Sequence, residues 1–481
     1  MCFCRFFYSG LARRKSALSL IWLSVMATAV VSFQWFFWGY SLAFSHTAGS
    51  YIGDLENIGF RNVLGAPSVG STKIPDLMFA VYQGMFACIT VALAVGAVAE
   101  RGRMLPTVVR IPTSESHLSS SKNLMKSQVF MFVWTTIIYD PIACWTWNES
   151  GWSFKMGGLD FAGGTPVHIA SGCAALAYSI MLGKRRGHGT HELNYRPNNV
   201  THIVIGTVFL WVGWFGFNAG SALAANLRAV MAAVVTNLAA CVGGITWCVL
   251  DYRLERKWST VGFCSGVIAG LVAITPGSGF VPAWAAVIYG VVGAAGANVS
   301  TLPRLQNPPT FRTTTDSFPQ YATKLKFVLG IDDALDIFAE HAVGGFIGNI
   351  LTAFFAADYI AHLDGFSDID GGWLNKNWVQ LGYQIADSVS GAAYSFFGTC
   401  IILFVMNLIP GLSLRASEEA EILGIDDAEI GEFAYDYVEL TREVLNDVDD
   451  AASKYSAAHA HDHEKTLNHS SDNNRDSITH V

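Results

Sequence analysis

Two histidines, His168 and His341, sit in apolar, glycine-rich stretches, DFAGGTPVHIASG (160–172) and DIFAEHAVGGFIG (336–348). An ionisable ring in hydrocarbon is costly unless it lines a cavity or meets a partner. Imidazole is also the side chain whose proton comes and goes near neutral pH. Two such rings in similar settings point to a conduit built around a shared pair; the plainer alternative is that each satisfies a backbone carbonyl separately. The glycines (Gly163, Gly164, Gly172; Gly344, Gly345, Gly348) let helices approach closely in lipid, which would bring the rings together. Asp160 opens the first stretch. It can cap the helix that follows or hold a cation by charge, and one role does not exclude the other. Phe86, Trp145, Trp147, Trp214, Phe215 and Phe217 fall near span ends. They form either an interfacial belt or a cage whose ring faces attract cations, and spacing does not choose.

Other chemistries find no footing. No GxxxxGK[ST] motif occurs, so no ATP-driven motor is expected. Neither a Ser/His/Asp arrangement nor a zinc-ligand spacing stands out, so we expect no enzyme, cofactor or metal centre. The nine cysteines form no CxxC pair and read as small buried hydrophobes.

The elements that must position these residues are membrane spans. Of 481 residues, 52% are hydrophobic and 14% charged, against about 25% charged in ordinary soluble chains. The net charge of -8 is weighted toward the C-terminal end and argues against nucleic acid as a partner. A span needs about 20 apolar residues. Ten candidates result: 18–44, 79–98, 129–147, 161–182, 203–223, 231–250, 261–274, 283–297, 337–355 and 379–408. Lys and Arg concentrate in alternate loops (Arg13, Arg14, Lys15; Arg101, Arg103; Lys184, Arg185, Arg186; Arg253, Arg256, Lys257; Lys324, Lys326; Arg415). Of 30 basic residues, only Arg61, Lys73, Lys155, Arg228 and Lys376 fall in the other set. The positive-inside rule makes the first set cytoplasmic, with both chain ends. Residues 148–150 form a sequon on the outer side, open to glycosylation or a chance match. After Leu414 an acidic, helically spaced segment leads into a polar, His-rich tail expected to be disordered. Its HAHDH run is either a weak metal binder or simply solvated.

At this point the chain resembles the ammonium transporter family (Amt/Mep/Rh), in its fungal Mep branch. DFAGGTPVHIASG looks like the family signature. GLARRKSALSLIW, AERGRMLPTVV, YDPIACWTWN, WVGWFGFNAGSAL and LGIDDALDIFAEHAVGG resemble family segments in family order, and EILGIDDAEIGEFAYDY resembles the cytosolic regulatory tail. The similarity runs from about Phe6 to about Glu439. It implies an all-α polytopic membrane protein with an inverted five-plus-five repeat, assembled as a homotrimer with one pore per subunit in the plasma membrane. It implies ammonium or ammonia as cargo and cytosolic regulators of the tail. Carried over by motif, Phe86, Trp147 and Ser221 would recruit the cation outside. Phe86 and Phe217 would be a stacked gate, His168 and His341 the paired pore imidazoles, and Asp160 a support for recruitment. A sensor that reports ammonium through its tail is the alternative function.

Three departures stand out. The chain starts at MCFCRFFYSG, where family members have a further span, so ten spans are expected. Residues 110–128 and 298–320 interrupt passages that are continuous in the family, as translated introns would. The expected division is therefore 1–17, a remnant of that span and a loop; 18–414, the transmembrane unit; 415–438, the regulatory tail; and 439–481, the polar end.

Overall fold

The computed structural model describes residues 4–103, 126–188, 197–301 and 331–435. Among them the secondary structure is helical, with two isolated bridges and no strand. Among the described residues eight helices are long and apolar enough to cross a membrane: Arg14–Phe44, Asp76–Val98, Gln128–Met156, Gly164–Leu182, Val200–Gly220, Leu227–Leu254, Thr260–Gly277 and Gln380–Leu408. Two irregular elements account for the other expected spans. Phe338–Phe355 turns by 104° into Asp358–Asp364, and Ala283–Val299 is apolar but shorter. The expected polar end, 439–481, lies outside the described residues, as does most of both interruptions. Helix Lys126–Trp134 begins inside the first interruption, and helix Ala283–Thr301 ends inside the second.

Local chemistry marks where several helices start. Asn199, Asn226 and Ser259 each take an extended conformation and accept a hydrogen bond from the N–H three residues on, at 3.0, 2.9 and 2.8 Å. These side chains satisfy donors that the first helical turn cannot pair internally. The preceding helix, Cys4–Leu11, is short but buries Phe7 and Tyr8. It lies so close to Val200–Gly220 that a methyl on Gly206 would come within 2.4 Å of the Phe7 amide nitrogen.

The last span carries a polar face into the bundle. Gln380 Nε2 donates to Gly157 O at 2.9 Å, and Gln384 brackets Leu159 through both its N–H and its C=O at 2.7 Å each. Asp387 accepts from Ser153 Oγ at 2.5 Å and from Thr165 Oγ1. Polar groups buried in a span must find partners inside the protein, and here those partners fix the loop that leads to His168.

Between the ends of several spans, Arg185 pairs with Glu100 and Asp332, both at 2.8 Å. Arg101 donates to Asp332 O at 2.6 Å. The chain after the last span folds back on this cluster. Glu421 accepts from Arg186 N at 2.6 Å and Arg415 Nη2 at 3.0 Å, and Asp426 accepts from Leu18 N at 2.9 Å and Ser19 N at 2.7 Å. Asp426 thus closes the open N–H groups at the start of the first span. Asn148 is buried and its amide donates to Ala43 O and Ser45 O, both at 3.2 Å. The sequon is accordingly a chance match, because its amide nitrogen is engaged inside the fold.

Candidate functional site

Asp160 is a helix cap. Its Oδ1 accepts from the N–H groups of Gly163 and Gly164 and its Oδ2 from Thr165, each at 2.7 Å. The carboxylate starts the helix on a π-helical turn, Gly164–Ile169, that contains His168. His341 also lies on a π-helical turn, Phe338–Val343, with buried Glu340 beside it. Such turns are frequent at functional sites.

The two helices touch where Gly172 faces Ala342: a methyl on Gly172 would lie 2.4 Å from the Ala342 backbone nitrogen. That approach puts His168 Nδ1 and His341 Nδ1 3.1 Å apart, with ring centroids 5.2 Å apart and planes 23° from parallel. Both rings are buried, at 1% and 2% exposure. The two rings meet each other directly rather than separate backbone carbonyls. Two facing Nδ1 atoms can share only one proton, so one ring donates and the other accepts. His168 Nε2 has no hydrogen-bond partner among the described residues.

Above the pair the rings continue. Trp214 stacks on His168 (centroids 5.5 Å, 16°) and is held by Nε1 donating to Thr275 Oγ1 at 3.0 Å. Phe217 lies 6.1 Å from His168 and stacks on Phe86 at 4.2 Å and 27°. Phe86 meets the edge of Trp147 at 5.7 Å and 85°, and Trp147 Nε1 donates to Asp160 O at 3.0 Å. Ser221 Oγ donates to Phe217 O at 2.9 Å and lies 3.1 Å from Tyr82 Oη. Trp147, Phe86, Phe217, His168 and His341 therefore form one column, with Asp160 behind it and Ser221 at its side. Trp145 instead packs among Tyr51, Trp152 and Tyr394.

Three contributors were not anticipated as site residues. Tyr8 Oη lies 3.0 Å from His341 Nε2 and ends the column opposite Trp147. Tyr82 donates to Phe217 O at 2.7 Å and holds the backbone of that ring. Trp214 was one aromatic among several, and only its stacking on His168 singles it out. The apolar run FFYSGL held no signal that singled out the first.

Comparison with known proteins bears on what such a column does. A sequence model of the Ammonium Transporter Family matches residues 2–112 and 117–435. Ammonium transporter 1 of Schizosaccharomyces pombe is 58% identical over 439 residues, covering 91% of this chain and 80% of the relative. The crystal structure of Saccharomyces cerevisiae Mep2 superposes with a TM-score of 0.74 at 50% identity, covering 87% of this chain and 86% of that one. A structure described as a sensor Amt protein superposes with a TM-score of 0.71 at 25% identity, covering 88% and 93%.

Proposed function

Because this chain belongs to the ammonium transporter family, we propose that it moves ammonium across the plasma membrane through the column just described. The cation meets Trp147, Phe86 and Ser221 on the outer side, where ring faces replace part of its water. The stacked Phe86 and Phe217 rings then oppose passage of a charged, hydrated ion. A proton left at this point travels by the imidazole pair, and neutral ammonia crosses the apolar remainder. Potassium matches ammonium in charge and nearly in size, yet has no proton to give, so a site that strips protons excludes it where a sieve would not.

The observation that carries this reading is the direct sequence from phenyl gate to shared-proton pair: Phe86 on Phe217, Phe217 on His168, His168 on His341. Asp160 acts through structure, holding the turn that aims His168 and receiving Trp147 through its own carbonyl. Three subunits, each with its own column, form the working assembly. The segment from Arg415 onward, bonded to Arg186 and to the start of the first span, regulates transport from the cytoplasm. The same docking, together with the likeness to a sensor protein, supports a second reading in which the tail reports ammonium occupancy.

The deciding experiment is expression in a yeast without its own ammonium transporters, scored for growth on low ammonium and for uptake in the presence of excess potassium. Wild type restores growth and ignores potassium. His168→Ala and His341→Ala lose discrimination against potassium; if both kept wild-type selectivity, the proton-stripping mechanism would be wrong. Deletion of the tail with flux intact but signalling lost would favour the sensor.

A further inference from the structure

A second group of buried oxygens lies away from the column, where Arg14–Phe44 packs on Gln128–Met156. Gln34, Tyr139 and Asp140 are all at 0% exposure. Gln34 Nε2 donates to Asp140 Oδ2 at 2.7 Å and to Thr136 Oγ1 at 3.0 Å, which uses both amide hydrogens. Three oxygens are left without a hydrogen-bond partner among the described residues: Asp140 Oδ1, Gln34 Oε1 and Tyr139 Oη. No Lys, Arg or His pairs with Asp140 among those residues. Two π-helical turns flank the cluster. Gln34 immediately precedes Trp35–Gly39, and Asp140 immediately follows Thr135–Tyr139. Such turns recur at binding sites, and a carboxylate with no compensating charge is among the costliest things to bury.

We propose that Asp140, Gln34 and Tyr139 bind one monovalent cation of potassium or ammonium size. The charge count selects the class. One carboxylate beside two neutral oxygens balances a single positive charge and would leave a buried divalent ion half-compensated. No group of three or more His, Cys, Asp or Glu among the described residues offers a transition-metal site. The bound ion braces helix Asp140–Trp147, whose far end carries the outermost ring of the column. It therefore steadies Trp147 from beneath without lying in the conducting path. The proposal does not depend on what passes the column, so its tests read structure and binding rather than flux.

Crystals of the full chain soaked in thallium(I) acetate should give an anomalous peak beside Asp140 Oδ1, separate from any peak near Phe86 and Trp147. Absence of that peak overturns the proposal. In lipid nanodiscs, replacing N-methylglucamine with potassium should raise the thermal midpoint in a saturable way. Asp140→Asn should abolish the rise. Tyr139→Phe, which removes one ligand oxygen and no charge, should raise the half-effective potassium concentration about tenfold, the equivalent of one modest contact. A wild type indifferent to potassium, or an Asp140→Asn protein that still responds, overturns the assignment. His168→Ala keeps the response while losing selectivity, which separates failure of this site from failure of the pore reading.

Discussion

Asp160 shows how much one side chain can carry at the residue scale. Its carboxylate takes three backbone N–H groups at 2.7 Å, and charge-assisted bonds of that kind are about twice as strong as neutral ones. Asp160→Ala should lower stability by about 2 kcal/mol, the upper end for a lost cap, and cut uptake through misaimed His168. Asp160→Asn keeps one oxygen for Gly163 and Gly164 but sets its NH2 against the Thr165 N–H, so it should recover only part of the thermal midpoint; equal melting of both variants would show that capping is not its role. The histidines and Asp160 were legible in the sequence because a polar group inside a glycine-rich apolar run has few bland explanations. Tyr8 was not. Its partner His341 is 333 positions away, and nothing in FFYSGL distinguishes a pore-facing hydroxyl from an interfacial one.

At the scale of elements, the column depends on two helices touching at Gly172 and on an outer clamp around Arg228. Gly172→Val would push backbone against backbone, since even a Cβ would lie 2.4 Å from Ala342 N. Growth on low ammonium should fail, and the protein that remains should melt earlier than wild type. Arg228 lies between the rings of Phe161 and Phe280, 4.9 and 5.0 Å from their centroids. It donates to Gly279 O, Asp364 Oδ2 and Ser367 Oγ, each at 2.9 Å. Arg228→Leu removes the ion pair of Asp364, which keeps its bonds from Phe366 N, Ser367 N and Ser367 Oγ, and should lower the thermal midpoint. Arg228→Lys keeps the charge but loses the planar fork and should fall between, as differential scanning of the purified variants will read. Span positions were legible from hydropathy alone. The 104° turn after Phe355 was not, because hydropathy measures length and apolarity but not direction.

At the scale of the whole molecule, the chain after the last span is tied to the ends of earlier spans by Glu421 on Arg186 N and by Asp426 on Leu18 N and Ser19 N, and Arg185 pairs with Asp332 beside it. Burial alone would raise the Asp332 carboxyl. The hydrogen bonds and charge of Arg185, with Arg101 alongside, outweigh burial and hold it well below the ordinary carboxylate range. A depressed folded-state pKa contributes stability that is complete above the unfolded value, about 3.9, and is lost as pH falls through the folded one. Wild type should therefore melt higher than Asp332→Asn at pH 7, and the gap should narrow only below about pH 4. A gap that closed already at pH 6 would assign the effect to another group. The resemblance to a regulatory tail marked this segment in the sequence, but its partners came from loops scattered over the chain, where only coordinates reveal a meeting.

The polar face of Gln380–Leu408 has a consequence for biogenesis. Gln384 and Asp387 grip Leu159 and Thr165 more than 200 positions earlier, so the ribosome has released most of the polypeptide before the turn ahead of His168 acquires its last supports. Nascent chains stalled short of Gln380 should be integrated by the translocon yet stay open to protease at that turn, which makes late maturation a property of the architecture itself.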